Sequence, residues 1–160
     1  MALASFALSP IAQAVVPAPD GGYPGQNTAE GQSALLHLAG GTYNTALGWV
    51  SLGFNVTGNF NTGVGAATLL NNTADRNTAT GAGALLSNAI GAFNSAYGAF
   101  ALFSNTTGTF NTAIGESALG SNTAGSANTA AGGEALFNNT IGASNTANGA
   151  LALFSNTTGG

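Results

Sequence analysis

An Asn-Thr or Asn-Ser dipeptide returns at Asn27, Asn44, Asn61, Asn77, Asn94, Asn111, Asn128 and Asn145, at spacings of 17, 17, 16, 17, 17, 17 and 17 residues. A short fixed period constrains the fold more than any local propensity. One such unit is too small to bury a core of its own, so like units must stack and share one. Eight units fill Asn27–Gly160 of the 160-residue chain. Numbered from its Asn, the unit reads N-T-A-x-G-x-x-A-L-x-x-N-T-x-G-x-x.

Stacking places each position above its predecessor. Position 9 is Leu in all eight units: Leu35, Leu52, Leu69, Leu85, Leu102, Leu119, Leu136 and Leu153. These are the expected apolar column of the core. Position 10 adds Leu36, Leu70, Leu86, Phe103, Phe137 and Phe154, and Ala at positions 3 and 8 keeps the interior thin. Position 5 is Gly in every unit, from Gly31 to Gly149. That suits a corner with positive φ or a close backbone approach. Asn44, Asn61, Asn77, Asn94, Asn111, Asn128 and Asn145 are expected to form an amide ladder along the stack. Position 12, Asn in seven units from Asn55 to Asn156 and Leu38 in the first, can form another. Asn also tolerates left-handed corners and bonds its own turn backbone.

N-T-A-x-G alternates small inward residues with outward ones, as a short strand does. "GESALGSN" and "GAFALFSN" set apolar residues side by side, which suits a bend or a single helical turn. The expected fold is all-β, a parallel β-solenoid of about eight coils with room for short helical turns. At ~4.8 Å per coil the stack spans ~38 Å. The third unit is one residue short and ends Asn72-Thr73-Ala74-Asp75-Arg76, so the deletion falls in a loop, and Asp75-Arg76 reads as solvated loop charge.

Composition excludes several functions. The net charge is −4 with a single basic residue, so no basic footprint for nucleic acid exists. With 44% apolar residues the chain is not disordered through charge. The absence of Cys excludes thiolate metal sites, and no apolar run reaches ~18 residues, so membrane insertion is not expected. No cofactor is expected. His37 is the only His and reads as a half-buried capping residue. Glu30, Glu116 and Glu134 fall on separate coils; Glu116 and Glu134 can approach each other, but surface charge is the simpler reading. "GAGALLSN" lacks the Lys of a phosphate loop, and one Asp in the repeats excludes a calcium-binding roll. The chain is read as non-enzymatic.

Residues 1–14 read as a secretory signal peptide without its basic start, ending in Ala12-Gln13-Ala14, an A-x-A cleavage pattern. The alternative is an apolar cap on the fold. Residues 15–26 read as an extended leader, polyproline-like near Pro17 and Pro19, with a turn at Asp20-Gly21-Gly22. The repeat solenoid occupies 27–160. Secretion or cell-surface display is the expected location.

Position 2 lines up Thr28, Thr45, Thr62, Thr78, Thr112, Thr129 and Thr146, with Ser95 in the remaining unit. This Thr face is the candidate binding surface. Arrays of this kind serve ice-binding solenoids, which makes ice binding the second reading. Paired Thr columns are the usual requirement there, yet position 4 runs Glu30, Leu47, Val64, Thr80, Tyr97, Ile114, Ala131, Asn148. Its bulky apolar members suggest a surface covered by another chain. Tyr43, Phe60, Phe93 and Phe110 at position 17, and Trp49, extend that suggestion. They equally suit packing under the loops of their own chain.

The words NTAxGxxALxxNTxG across Asn27–Gly160 resemble the repeat of uncharacterised secreted bacterial proteins, some of which look like surface fibres. More distantly, the S/N-x-A-x-G rhythm resembles the head repeats of YadA-like trimeric autotransporter adhesins, whose unit is shorter than the 17 residues here. The resemblance implies a structural or adhesive role, as a stalk or head segment of a surface or fibre protein. The adhesin likeness further implies left-handed β-rolls and homotrimeric self-association.

Overall fold

In each unit the three residues after the Asn are the strand. The computed structural model describes residues 23–160, with strands β1 (Thr28–Glu30), β2 (Thr45–Leu47), β3 (Thr62–Val64), β4 (Thr78–Thr80), β5 (Ser95–Tyr97), β6 (Thr112–Ile114), β7 (Thr129–Ala131) and β8 (Thr146–Asn148). They form one sheet in sequence order, every pair parallel and every like position in register. The protein is a parallel β-solenoid. Strand length is set by chemistry at both ends. The Asn before it turns inward. The Gly after it takes φ between 122° and 136° and approaches the next coil so closely that a Cβ on Gly48 would lie 2.6 Å from the Gly65 carbonyl oxygen. Only Gly fits there, on both grounds.

The side opposite the sheet contains no helix among the described residues. Three overlapping turns replace the expected helical option. In coil 2 the amide of Ser51 donates to the carbonyl of Gly48, that of Gly53 to Val50, and that of Asn55 to Leu52. A helical turn needs successive residues of one φ sign. Here the sign alternates, because positions 7 and 9 are left-handed: Val50 at 48° and Leu52 at 51°, Ser117 at 54° and Leu119 at 54°. This explains the adjacent apolar pair. A left-handed residue breaks the in-out alternation, so positions 8 and 9 both face inward while position 10 is turned toward the surface. The Leu and Phe side chains at position 10 are accordingly half-buried, and Leu36 is exposed. They do not join the interior column.

Leu52, Leu69, Leu85, Leu102, Leu119 and Leu136 are wholly buried and Leu35 nearly so. Leu153 departs from the expectation at 51% exposure, because among the described residues the eighth coil has no neighbour on that side. Holding a Leu in the left-handed region costs roughly 1–2 kcal/mol. Full burial of its side chain returns about 2–3 kcal/mol, so the corner is tolerated. The left-handed positions are therefore not the Asn residues. They fall at positions 7, 9 and 17, the last including Tyr43, Phe60, Arg76, Phe93 and Phe110 at 57° to 60°.

Both Asn positions are interior. Asn111 shows the pattern of position 1. Its Oδ1 accepts from the backbone N–H of Asn128 at 3.0 Å, and its Nδ2 donates to the Gly125 carbonyl at 2.8 Å. Position 12 forms a second ladder. Asn88, Asn105, Asn122 and Asn139 are fully buried, and each Nδ2 donates to the Oδ1 of the preceding member at 2.7–2.9 Å. Asn145 and Asn156 continue the two ladders at the more exposed last coil. The two ladders share an acceptor: Asn94 and Asn105 both donate to Gly108 O, at 2.9 and 3.0 Å. Two amides thus tie the position-15 carbonyl of coils 2 to 7. No buried side-chain polar atom among the described residues lacks a partner, which is what makes an Asn-lined interior affordable.

The short third coil keeps this arrangement. The Ala74 carbonyl accepts from Asn61 and Asn72, both at 2.8 Å, and so stands at position 15. The missing residue belongs between positions 12 and 15, and Asp75 and Arg76 occupy positions 16 and 17. At the other end, Tyr23–Gln26 belong to the solenoid instead of an extended leader. Tyr23 bridges Asn27 and packs on the core, and the Gly25 carbonyl accepts from Tyr43 as the rung below it. The signal-peptide reading, Pro17, Pro19 and the Asp20-Gly21-Gly22 turn lie outside the described residues.

Candidate functional surface

From position 17 to position 4 the side chains alternate outward and inward, so columns 17, 2 and 4 share one face. Strand register turns Thr28, Thr45, Thr62, Thr78, Ser95, Thr112, Thr129 and Thr146 into one unbroken hydroxyl column. Its ends are exposed and its middle is half-covered by the neighbouring columns. In column 4, Leu47 and Val64 are half-buried, while Thr80, Tyr97 and Ile114 are exposed. Only Thr78 and Thr80 pair two Thr on one strand.

Column 17 is not packed beneath loops. Tyr43 and Phe60 stack at 5.1 Å and 4°, and Phe93 and Phe110 at 4.8 Å and 9°. Between the pairs sits Arg76, its guanidinium 5.6 Å from the Phe60 ring centre and 5.3 Å from that of Phe93. The lone cation fills the place of a fifth ring, each contact contributing about 0.5–1 kcal/mol at an exposed site. Its neighbour is equally engaged. Asp75 Oδ1 accepts from the backbone N–H of Asn59 at 2.7 Å and from Asn59 Nδ2 at 3.1 Å. Asn59 Oδ1 in turn accepts from the N–H and hydroxyl of Thr42, both at 2.9 Å. The pair is therefore more than solvated loop charge: Asp75 ends a polar ladder at position 16 and Arg76 bridges an aromatic one at position 17. The signal was present in the sequence, since Arg76 occupies the slot that is aromatic in the flanking coils. Stacked rings turn their faces to one another and their edges to solvent, so this column braces the corner and offers no broad platform.

The groups weighed for chemistry lie apart. His37 is exposed, not half-buried. It stacks on Phe54 at 4.7 Å, and its Nδ1 lies 2.9 Å from the Gly53 carbonyl, which makes Nδ1 the donor. Glu116 and Glu134 are brought to adjacent rungs, the Glu134 N–H donating to the Glu116 carbonyl at 2.8 Å, and both side chains are exposed. Among the described residues no three His, Asp or Glu side chains gather as a metal-binding group. No described helix is long and apolar enough to cross a membrane. Scans of the chain against protein-family models, curated proteins and solved structures return no match.

Proposed function

We propose that this β-solenoid is a non-enzymatic, secreted structural or adhesive protein, a stalk or head segment of a bacterial surface or fibre assembly. The observation that carries the reading is the coexistence of a braced column with a continuous outward face. Two buried amide ladders and rungs around the whole coil stiffen the stack. The face repeats one hydroxyl column between columns that expose Tyr97, Ile114, Phe93 and Phe110. Repetition of weak contacts at a fixed spacing yields avidity without a deep site. The exposed apolar side chains this face carries, Tyr97 and Ile114 beside the aromatic column, favour self-association, a homotrimer above all. Light scattering on the chromatographed protein tests this. A trimer is the expected result, and a concentration-independent monomer would overturn the self-associating form of the proposal.

A second reading is an ice-binding surface, favoured by the in-register Thr column on a parallel sheet. Its single paired Thr strand argues for the first reading instead. Thermal hysteresis that disappears in Thr62→Leu and Thr112→Leu variants would reverse that preference.

A further inference from the structure

Position 12 turns its Asn inward, and the residues on either side of it turn out. Along Ser104-Asn105-Thr106 and Ser121-Asn122-Thr123 the central Asn is fully buried and both flanking residues are half-buried. Stacking makes these flanks two parallel columns. From coil 3 to coil 8, position 11 reads Asn71, Ser87, Ser104, Ser121, Asn138, Ser155, and position 13 reads Thr73, Ala89, Thr106, Thr123, Thr140, Thr157. Only Ala89 lacks a polar side chain. In coils 1 and 2 the same places hold His37, Ala39, Phe54 and Val56, so the paired face begins at coil 3. Six coils make it ~24 Å long at ~4.8 Å per coil.

The threonines of this face are held in place. Both donors of Thr106, its N–H and its hydroxyl, reach the Thr123 carbonyl at 2.9 Å. Thr123 donates in the same way to Thr140 O at 2.9 and 3.0 Å, Thr140 to Thr157 O at 2.8 and 3.0 Å, and Thr73 to Ala89 O at 3.0 and 2.8 Å. Each hydroxyl proton is committed to the wall of the solenoid. That fixes the rotamer, methyl included, and leaves the oxygen as an acceptor. Neither column carries a charge in these coils. The adjoining position 14 adds Ile90, Thr107, Ala124, Ile141 and Thr158, again uncharged.

We propose that the paired columns at positions 11 and 13 of coils 3 to 8 are an ice-binding face. Ice presents water molecules at fixed repeats and no net charge. A surface gains from many such contacts at once only if its own groups are periodic and already ordered; otherwise each side chain loses rotamer freedom on contact. Positions 11 and 13 supply the repeat in two columns, and the clamped threonines supply the order. The sheet, by contrast, pairs two Thr on β4 alone. The inference rests on the ice-binding reading and moves it from the sheet to this face; the adhesive reading does not depend on it.

The test is thermal hysteresis of the full chain, with circular-dichroism melts to show that each variant is folded. The parent is expected to arrest ice growth below the melting point. Thr123→Leu removes a clamped hydroxyl and raises a branched side chain in the middle of the face. Ser121→Lys adds a long charged side chain beside it at a half-buried position. Both are expected to lose most of the hysteresis, and Ser121→Lys decides the matter if Thr123→Leu does not fold. Thr62→Leu and Thr112→Leu, on the sheet, are expected to retain it. No hysteresis in the parent would overturn this inference and the ice-binding reading together. Loss in the sheet variants with retention in Thr123→Leu and Ser121→Lys would overturn this inference alone and leave ice binding on the sheet. Loss in both sets of folded variants would show no preference between the faces and overturn it as well.

Discussion

Replacing Gly63 by Ala tests how the core was assembled. Gly63 is the one strand centre that is not Ala, and the two position-8 residues flanking it, Ser51 and Thr68, are the two that are not Ala. The coincidence has a steric cause. The two hydroxyl oxygens lie 2.7 Å apart and share two protons, so one hydroxyl donates to the other and the second donates to a backbone carbonyl, Gly63 O at 3.1 Å from Ser51 Oγ or Gly65 O at 3.1 Å from Thr68 Oγ1. A Cβ on Gly63 would stand 2.6 Å from Ser51 Oγ and 2.8 Å from Thr68 Oγ1. Overpacking of that kind costs about 1–3 kcal/mol, against a gain of roughly 0.5–1 kcal/mol for replacing Gly in a strand. Gly63→Ala alone is therefore expected to destabilise by ~1–2 kcal/mol, or a fall of roughly 2–8 °C in Tm. Adding Ser51→Ala and Thr68→Ala removes both hydroxyl partners together, which is nearly neutral, and reproduces the all-Ala packing of coils 4 to 7, whose Ala79, Ala84, Ala96 and Ala101 are fully buried. The triple variant is expected to match or exceed the parent. Circular-dichroism melts of the parent, Gly63→Ala, the Ser51/Thr68 double variant and the triple variant give the coupling directly. Additivity among them within ~0.3 kcal/mol would refute the steric argument.

Leu102→Asn should destabilise by several kcal/mol, since it places an unpartnered amide in the apolar column and removes a wholly buried side chain; a chemical-denaturation loss below ~0.5 kcal/mol would place position 9 at the surface. Asn105→Asp keeps the size but removes the Nδ2 that donates to Asn88 Oδ1 at 2.7 Å and Gly108 O at 3.0 Å. A buried carboxylate facing two carbonyl oxygens has its folded pKa raised above the unfolded ~3.9. The folded state then binds more protons, so the variant is least impaired below about pH 4 and loses stability as pH rises toward the folded pKa. Melts across pH check the sign, and a variant more stable at neutral than at acid pH would contradict it.

How much was legible differs between residues. Gly48 and its equivalents announced themselves, because a corner that a Cβ cannot enter admits one residue type in every coil. The Leu column and the Asn ladders followed from stacking alone. The left-handed Leu did not, since Leu has no preference for positive φ and only core burial holds it there. Arg76 was readable by register as the occupant of an aromatic column, but its charge and the missing residue beside it suggested a loop. That a neighbour's side chain covers the two position-10 glycines, Leu70 over Gly53 and Phe137 over Gly120, was not readable, because the reach of a side chain one coil away is not written in the repeat.

The sequence by itself determined the period, the strand, the parallel register and the inward columns, because repetition forces like residues onto one another whatever the path of the coil. Tertiary structure decided the path: which residues take left-handed corners, that positions 8 and 9 both turn inward, and that position 10 faces out. It also decided that Leu70 and Phe137 lean over the glycines at position 10. Those outcomes depend on the size and reach of side chains one coil away, and no local pattern encodes that contact.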